Sequence, residues 1–404
     1  MSADEHERTH ASCCPTRCQT DLPGSSPPAP AVALALLFAA SDLSHTPPYL
    51  KGVSHLQGLT IDSKIRSILN RALAGHEIDR EKALQLLKTD EKSPEMYAII
   101  SAANMLTRRQ YGDRGEVYAT VGIDLWPCPK SCAFCSFGAD WNLVESPVEL
   151  SLEEVVARAK SLEDDGANAI FLMTTADYPF DRYIEIAKAV RKVLSIKMPM
   201  VANIGDFGSD KAKDLVDAGF QAVYHVHRLR EGKDTGISPE ERLQTIKVAR
   251  DVGLDLSYCV EPIGPEHSPE ELVAEVFRGK QFGAVNLACM WRVPIPELPL
   301  SKLGKISEVT LAKAVAVTRI VAGDSIKAMG VHEPRILPLF AGANQIYAQT
   351  AGFSPRRRPN PKGTLEDTSN GKGYSVDACK NLLREAGYAP LEGPTKVFQG
   401  NWSP

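Results

Sequence analysis

Three cysteines within eight residues, Cys128, Cys132 and Cys135, are the side chains whose type and spacing specify chemistry most directly. They stand in Cys128-Pro-Lys-Ser-Cys132-Ala-Phe-Cys135, a C-x3-C-x2-C pattern that gathers three thiolates on one short loop. Three thiolates without a nearby fourth can ligate three irons of a cubane and leave one iron open to another ligand, whereas a closed structural zinc site wants four protein ligands. A three-thiolate zinc site or chance spacing is the competing reading. Of the other cysteines, Cys13, Cys14 and Cys18 crowd the start of the chain, and Cys259, Cys289 and Cys379 are scattered. An odd total of nine, tight clustering and no credible export signal favour a reducing, cytoplasmic setting and metal chemistry over a disulfide framework.

The remaining composition limits the classes available. With 404 residues, 43% of them hydrophobic, the chain can bury a large core, which excludes global disorder, collagen-like repetition and a small disulfide scaffold. A net charge of -4 gives no reason to expect a nucleic-acid partner. The apolar run at residues 31–40 is too short to span a bilayer, so no membrane association is expected. Residues 1–55, rich in Pro, Ser and Ala, read as a disordered extension whose three thiols are unliganded.

The elements that must position the cysteine loop follow. Residues 56–112 read as a helical lead-in: Ile61, Ile65, Ile68, Leu69, Ala72 and Leu73 share one helical face, Asp79 can cap a second helix, and Ser93-Pro94 opens a third. Over residues 113–350, apolar strand candidates alternate with amphipathic helices. The strands are expected at 117–123, 169–173, 198–204, 222–226, 254–259, 284–288, 326–329 and 345–347. Ser151-Leu-Glu-Glu154, Ser238-Pro-Glu-Glu241 and Ser268-Pro-Glu-Glu271 read as capping boxes at the starts of three intervening helices. Eight such strands predict an α/β fold of the (β/α)8 TIM-barrel type, with an open doubly wound sheet as the alternative. Residues 351–404 are expected to pack on the barrel as a short cover: a basic, Pro- and Gly-rich stretch from Arg356 to Lys372, then a helix over 375–387.

A barrel demands that functional residues gather at the C-terminal ends of its strands. Beyond the cysteine loop, the successive strand ends carry Thr174, Thr175 and Asp177; Asn203 and Asp206; His225, His227 and Arg228; Cys259, Glu261 and Glu266; Asn286, Cys289 and Arg292; and His332.

On these residues, with Phe134 just before the third cysteine, the chain resembles the radical S-adenosylmethionine (SAM) enzymes. The resemblance implies a [4Fe-4S] cluster on Cys128, Cys132 and Cys135 whose open iron chelates the amino and carboxylate groups of SAM. Reductive cleavage would then give methionine and a 5'-deoxyadenosyl radical that takes hydrogen from a substrate. From Ile61 to Tyr388 the order of elements is similar to the branch containing biotin synthase, the hydrogenase-maturation enzyme HydE, methylornithine synthase and, more distantly, the aromatic-amino-acid lyases of thiamin synthesis. Phe340-Ala-Gly-Ala-Asn344 resembles that branch's "AGAN" step.

Carried over by position, Thr174-Thr175-Ala176-Asp177 matches the segment that holds the methionine amino group, so Thr175 and Asp177 are cofactor candidates. Arg242 matches an arginine that pairs with the cofactor carboxylate, or else is an exposed helix arginine. His225 and His227 match ribose contacts, or else are satisfied buried histidines. Ile263 to Glu266 match the segment behind the adenine, or else form a plain turn. Cys259 matches one ligand of the second cluster of biotin synthase, but Met173 or a neighbour, Val201 and Lys327 stand at the other positions, so a second iron–sulfur site lacks its ligands. Cys259, Cys289 and His332 are the candidates for facing substrate, either thiol alternatively being a small buried group.

The resemblance thus implies rearrangement or fragmentation of a small molecule in cofactor or amino-acid biosynthesis, fed by a low-potential donor of the ferredoxin or flavodoxin type. The alternatives are sulfur insertion, into a carrier-bound acyl group for example, with a partner or second cluster; a non-catalytic iron–sulfur scaffold or carrier; and a zinc-dependent barrel hydrolase.

Overall fold

A computed structural model of the chain describes residues 60–145, 147–350 and 374–400. The expected extension with Cys13, Cys14 and Cys18, and the basic stretch from Arg356 to Lys372, lie outside the described residues.

Eight parallel strands close on themselves: β1 (Arg114–Gly122), β2 (Ala169–Met173), β3 (Met200–Asn203), β4 (Ala222–Tyr224), β5 (Asp255–Ile263), β6 (Asn286–Trp291), β7 (Ala328–Val331) and β8 (Gln345–Thr350). Each pairs with the next, and β8 returns to β1 with Gln345 beside Glu116. The doubly wound alternative is therefore excluded. The strands read as near-continuous apolar runs because both faces are covered, one by helices and one by the filled lumen. Tyr118 and Phe171 stack there at 5.9 Å, and Tyr347 meets Tyr118 edge-on at 5.9 Å.

Closure depends on Asn344. Its backbone carbonyl accepts from Glu116 N of β1 at 2.8 Å, and its side-chain oxygen accepts from Met329 N of β7 at 3.0 Å. One residue thus ties the last strand to both neighbours. The preceding Gly342 has φ 100° and presses on Ala103 backbone, a conformation and a clearance that a side chain would oppose.

The lead-in forms as α1 (Ser63–Leu73), α2 (Arg80–Leu87) and α3 (Pro94–Tyr111). Asp62 caps α1 through Lys64 N and Ile65 N, and Asp79 caps α2 through Lys82 N. Ser93, expected to cap α3, gives its hydroxyl to Asp90 O instead and makes no cap bond. Around the barrel run α4 (Leu152–Asp164), α5 (Phe180–Val193), α6 (Ser209–Asp217), α7 (Pro239–Asp251), α8 (Pro269–Gln281), α9 (Glu308–Ala322) and the short α10 (Ile336–Phe340). Two of the three expected capping boxes, Ser151/Glu154 and Ser268/Glu271, are reciprocal. At α7 only the Ser238 half exists: its hydroxyl accepts from Glu241 N and itself donates to Glu240. The lead-in is anchored through α9, where wholly buried Arg319 donates to Thr107 Oγ1 at 3.0 Å and to Leu106 O at 3.2 Å of α3.

The helix α11 (Val376–Glu385) packs on β1 and β8, and Ala389 and Pro390 pair with Arg114 and Gly115. The chain then crosses the N-terminal end of the barrel. Phe398 enters the lumen 5.3 Å from Tyr118, Thr395 donates to Glu116, and Gln399 N and Gly400 N donate to Asp255. Asn168 fastens this segment by accepting from Val117 N and donating to Leu391 O and Gly393 O. The cover thus seals the end opposite the cysteines. No helix among the described residues is long and apolar enough to cross a membrane.

Candidate cluster and cofactor site

The cysteine loop leaves β1 and lies over the open, C-terminal end of the barrel, held mainly by backbone bonds, with Trp141 Nε1 donating to Cys132 O at 3.2 Å. Cys128 N donates to Phe137 O at 2.6 Å and Ala139 N to Cys128 O at 2.9 Å, which closes the loop on itself. Two bonds pin it to the loop after β4: Ala133 N to Asp234 O at 2.9 Å, and Gly236 N to Lys130 O at 2.8 Å. Leu300 N, from the segment after β6, donates to Ala133 O at 3.3 Å. Because β4 and β6 are not neighbours of β1, these contacts carry the loop across the mouth.

All three thiols are free and half-buried. Burial pushes Cys132 up to about 12, against the pull of Arg228, and raises Cys135 as well. A metal that takes Cys132 and Cys135 as thiolates must therefore displace their protons. Three soft donors on one pinned loop, with no fourth thiol on that loop, suit a cubane with one open iron.

Gly236 sets how closely the loops approach. A Cβ there would lie 2.4 Å from Lys130 O, so Gly236→Ala must push the cysteine loop away. We expect this variant to retain severalfold less iron after reconstitution while staying folded. Iron content beside a far-UV CD melt checks it, and an unchanged iron content would show that the loop contact is not needed.

Beneath the loop lies a buried polar network. Asp206, past β3, approaches His225 Nε2 at 2.8 Å and Arg242 Nη2 at 3.3 Å, and Arg242 Nη1 is 2.6 Å from the same imidazole nitrogen. Glu231 lies 3.9 Å from Arg242 Nε and accepts from Arg228 N at 2.8 Å and from Thr235 Oγ1. Burial and the neighbouring Arg242 cation push His225 down to about 3, so its ring is neutral. Burial opposes the charge on Asp206, but His225 and Arg242 outweigh it and hold the carboxyl at about 2. Arg228 reaches the other way, its Nε 3.3 Å from Glu261 Oε1. Arg228 Nη1 and Arg242 Nε are buried without a hydrogen-bond partner, two donors that suit an anionic group such as a carboxylate.

The residues expected from sequence are distributed unevenly about this mouth. His225 and Arg242 meet directly. Thr175 is occupied by Asp124, donating to it from both backbone and hydroxyl. Asp177 is half-exposed and stands 3.9 Å from Lys130 of the cysteine loop. Phe134 is half-buried on that loop. Ile263 is buried and accepts from Arg292 N, while Glu266 is gripped by the guanidinium of Arg292. His227 turns outward, its Nδ1 3.3 Å from Glu275 of α8, and Cys289 also faces the helices, its Sγ 3.4 Å from Thr318 of α9. Cys259 and His332 face the lumen together with Tyr224, Glu261 and Tyr347. Lys327 sits at the far end of the barrel, its Nζ 3.5 Å from Val397 O, well away from Cys259. Glu231, Asp124 and the lumenal tyrosines Tyr224 and Tyr347 carry no local sequence signal; only the closed barrel brings them to the site.

A closed (β/α)8 barrel with three thiols pinned across its mouth over a charged, desolvated floor gives one place where a metal group could be held. Comparison with known proteins narrows this. The model of the radical SAM superfamily matches residues 128–278, which contain all three cysteines and the network below them. Biotin synthase of Nocardioides sp. is 27% identical over 340 residues, 81% of this chain and 86% of that protein. Biotin synthase of Pelotomaculum thermopropionicum is 28% identical over 308 residues, 70% of this chain and 93% of that one. Among solved structures, methylornithine synthase (PylB) superposes with a TM-score of 0.68 at 16% identity, covering 80% of this chain and 97% of its own. HydG, a maturase of the [FeFe]-hydrogenase, gives 0.68 at 18% identity over 82% and 76%. Residues 128–278 thus match the radical SAM superfamily within a chain that resembles biotin synthase in sequence, and that match implies a [4Fe-4S] cluster and SAM.

Proposed function

We propose that this chain holds a [4Fe-4S] cluster on Cys128, Cys132 and Cys135 and catalyses rearrangement or fragmentation of a small substrate in cofactor or amino-acid biosynthesis. The observation that carries the reading is the cysteine loop itself, three desolvated thiols fixed by backbone bonds above a polar lumen closed at its far end. Bound there and reduced, the cluster and SAM supply a 5'-deoxyadenosyl radical for hydrogen abstraction. The protein's own part is to bind and exclude. Arg228 Nη1 and Arg242 Nε offer unpaired donors to the SAM carboxylate, with His225 and Asp206 holding Arg242 in place. Thr175, Asp177, Ile263 and Glu266 lie on the strand-end segments around the same mouth. Phe398 and the terminal segment keep water from entering below.

The contents of the lumen favour this class over sulfur insertion. Among the described residues, only Cys259 is placed in the lumen; Cys289 faces α9, and Cys379 sits on α11 with its Sγ 3.7 Å from Tyr347 O. Similarity to biotin synthase keeps sulfur insertion as the second reading. Anaerobic reconstitution separates them. One cubane gives about four irons per chain with cluster sulfide unchanged through turnover. Iron well above that, or sulfide consumed with product, would replace the first reading by the second. Iron without SAM binding would make the chain a scaffold. A low-potential ferredoxin or flavodoxin is the fitting electron donor, and the reducing cytoplasm the fitting setting.

A further inference from the structure

Halfway down the lumen, three potential ligands from two strands converge. Cys259 and Glu261 are two residues apart on β5 and so share its inward face, and His332 follows β7. One ligand atom from each lies within 4.8 Å of the others. Cys259 is wholly buried and Glu261 is 3% exposed. We propose that Cys259, Glu261 and His332 form a mononuclear site for a divalent, borderline-soft ion of the Zn2+ type, separate from the cluster on the cysteine loop.

The donor set decides the ion. A thiolate, an imidazole and a carboxylate are zinc's preferred ligands, and three of them from protein leave the fourth tetrahedral position open, as in catalytic rather than structural sites. This differs from a second iron–sulfur cluster, which needs several thiolates, whereas this group offers one. The surroundings orient each ligand as outer-shell partners do. Tyr224 gives its hydroxyl to Glu261 and stands 3.3 Å from His332 Nε2. Tyr347 stacks on the His332 ring at 4.0 Å and 17°. Arg228 approaches the other oxygen of Glu261 at 3.3 Å, linking the group to the floor of the cofactor site. The open position is the place for a substrate heteroatom held below the cysteine loop. That last step rests on the function proposed above, whereas metal binding does not.

Cobalt(II) is the probe, because its bond to a thiolate produces a charge-transfer band that oxygen and nitrogen ligands do not. The full-length chain carrying Cys→Ala at 13, 14, 18, 128, 132 and 135 removes every competing clustered thiol. It is expected to bind one Co2+ per chain with the thiolate band, and Zn2+ should displace it. Cys259→Ser should abolish the band, and His332→Gln should weaken binding by at least about tenfold, as loss of a ligand must exceed loss of an outer-shell partner. Should Cys259→Ser fail to fold, His332→Gln and the parent's band carry the test. No Co2+ binding by the folded parent, or a band that survives Cys259→Ser, overturns the site. Separate failure of the wild-type chain to cleave SAM would overturn the radical reading and leave the metal result standing.

Discussion

A chain with Cys128, Cys132 and Cys135 all changed to alanine should retain no cluster iron and form no 5'-deoxyadenosine above the enzyme-free background, yet melt within about 1 kcal/mol of the apo wild type. The two halves of this expectation have different physical origins. The bonds that place the loop use atoms that alanine keeps: Cys128 N to Phe137 O, Ala133 N to Asp234 O, Gly236 N to Lys130 O, and Trp141 Nε1 to Cys132 O. The thiols are free and half-buried and take no part in these bonds, so their removal leaves none of these partners unpaired. Chemistry is therefore separable from folding at this loop, which is unusual for buried metal ligands. Iron and sulfide analysis, deoxyadenosine chromatography and paired melts of the two apo proteins make the comparison. Deoxyadenosine at the wild-type rate would remove the cluster from these cysteines. A variant that unfolds would show instead that the thiols hold the loop together.

The barrel was legible because parallel strands buried on both faces must be apolar runs. Ala169–Met173 and Asn286–Trp291 stand out between helices whose caps, Ser151 and Ser268, announce themselves by spacing. The AGAN step was recognisable as a pattern, but its role was not. That Asn344 bonds both β1 and β7 is a consequence of closure, which brings residues more than two hundred positions apart into register. The terminal segment was expected to pack on the barrel, but nothing local says which end Phe398 plugs. That follows from Asn168 and Asp255, which stand at the N-terminal ends of their strands.

The site was legible to the extent that a strand end can be recognised. His225 and Arg242 meet in one buried network, yet strand ends alone do not give the direction of a side chain. Alternation along β5 sends Cys259 and Glu261 inward and Tyr258 outward to Glu275, and that same carboxylate captures His227. Cys289 goes outward by the same alternation on β6. Arg228, one step from the expected histidines, has the unpaired Nη1 and reaches both Glu261 and the neighbourhood of Cys132. Whether a guanidinium is spent on internal carboxylates or left with a donor to offer depends on contacts across three loops, which no spacing rule encodes.

Arg242→Met should destabilise the apo protein by about 3–5 kcal/mol, because it leaves Asp206 and Glu231 as buried carboxylates without their cation. A domain of this kind is stable by only about 5–15 kcal/mol, so the loss is a large fraction of the total. The same network sets the acid limb of stability. Asp206 is held at about 2, below its ordinary 3.8, so its contribution is complete above pH 3.8 and disappears as pH falls toward 2. That contribution is on the order of 2 kcal/mol. His225 is also depressed, from 6.5 to about 3, and for a base this means the folded site refuses a proton that the unfolded chain accepts. Stability is therefore full above pH 6.5 and declines from there toward pH 3, ahead of the carboxylate. Arg242 is one cause of the His225 depression, so Arg242→Met should flatten the slope between pH 6.5 and 4 even as it lowers the whole curve. Because Asp206 and His225 titrate as a pair, Asp206→Asn in the same background should recover part of the loss by removing one unpaired charge. Urea melts from pH 4 to 8 on the three proteins decide it. A single variant as stable as wild type, or one with an unchanged pH slope, would mean that Arg242 is not coupled to the buried acids, and the proposed contact of Arg242 with the SAM carboxylate would lose its physical basis.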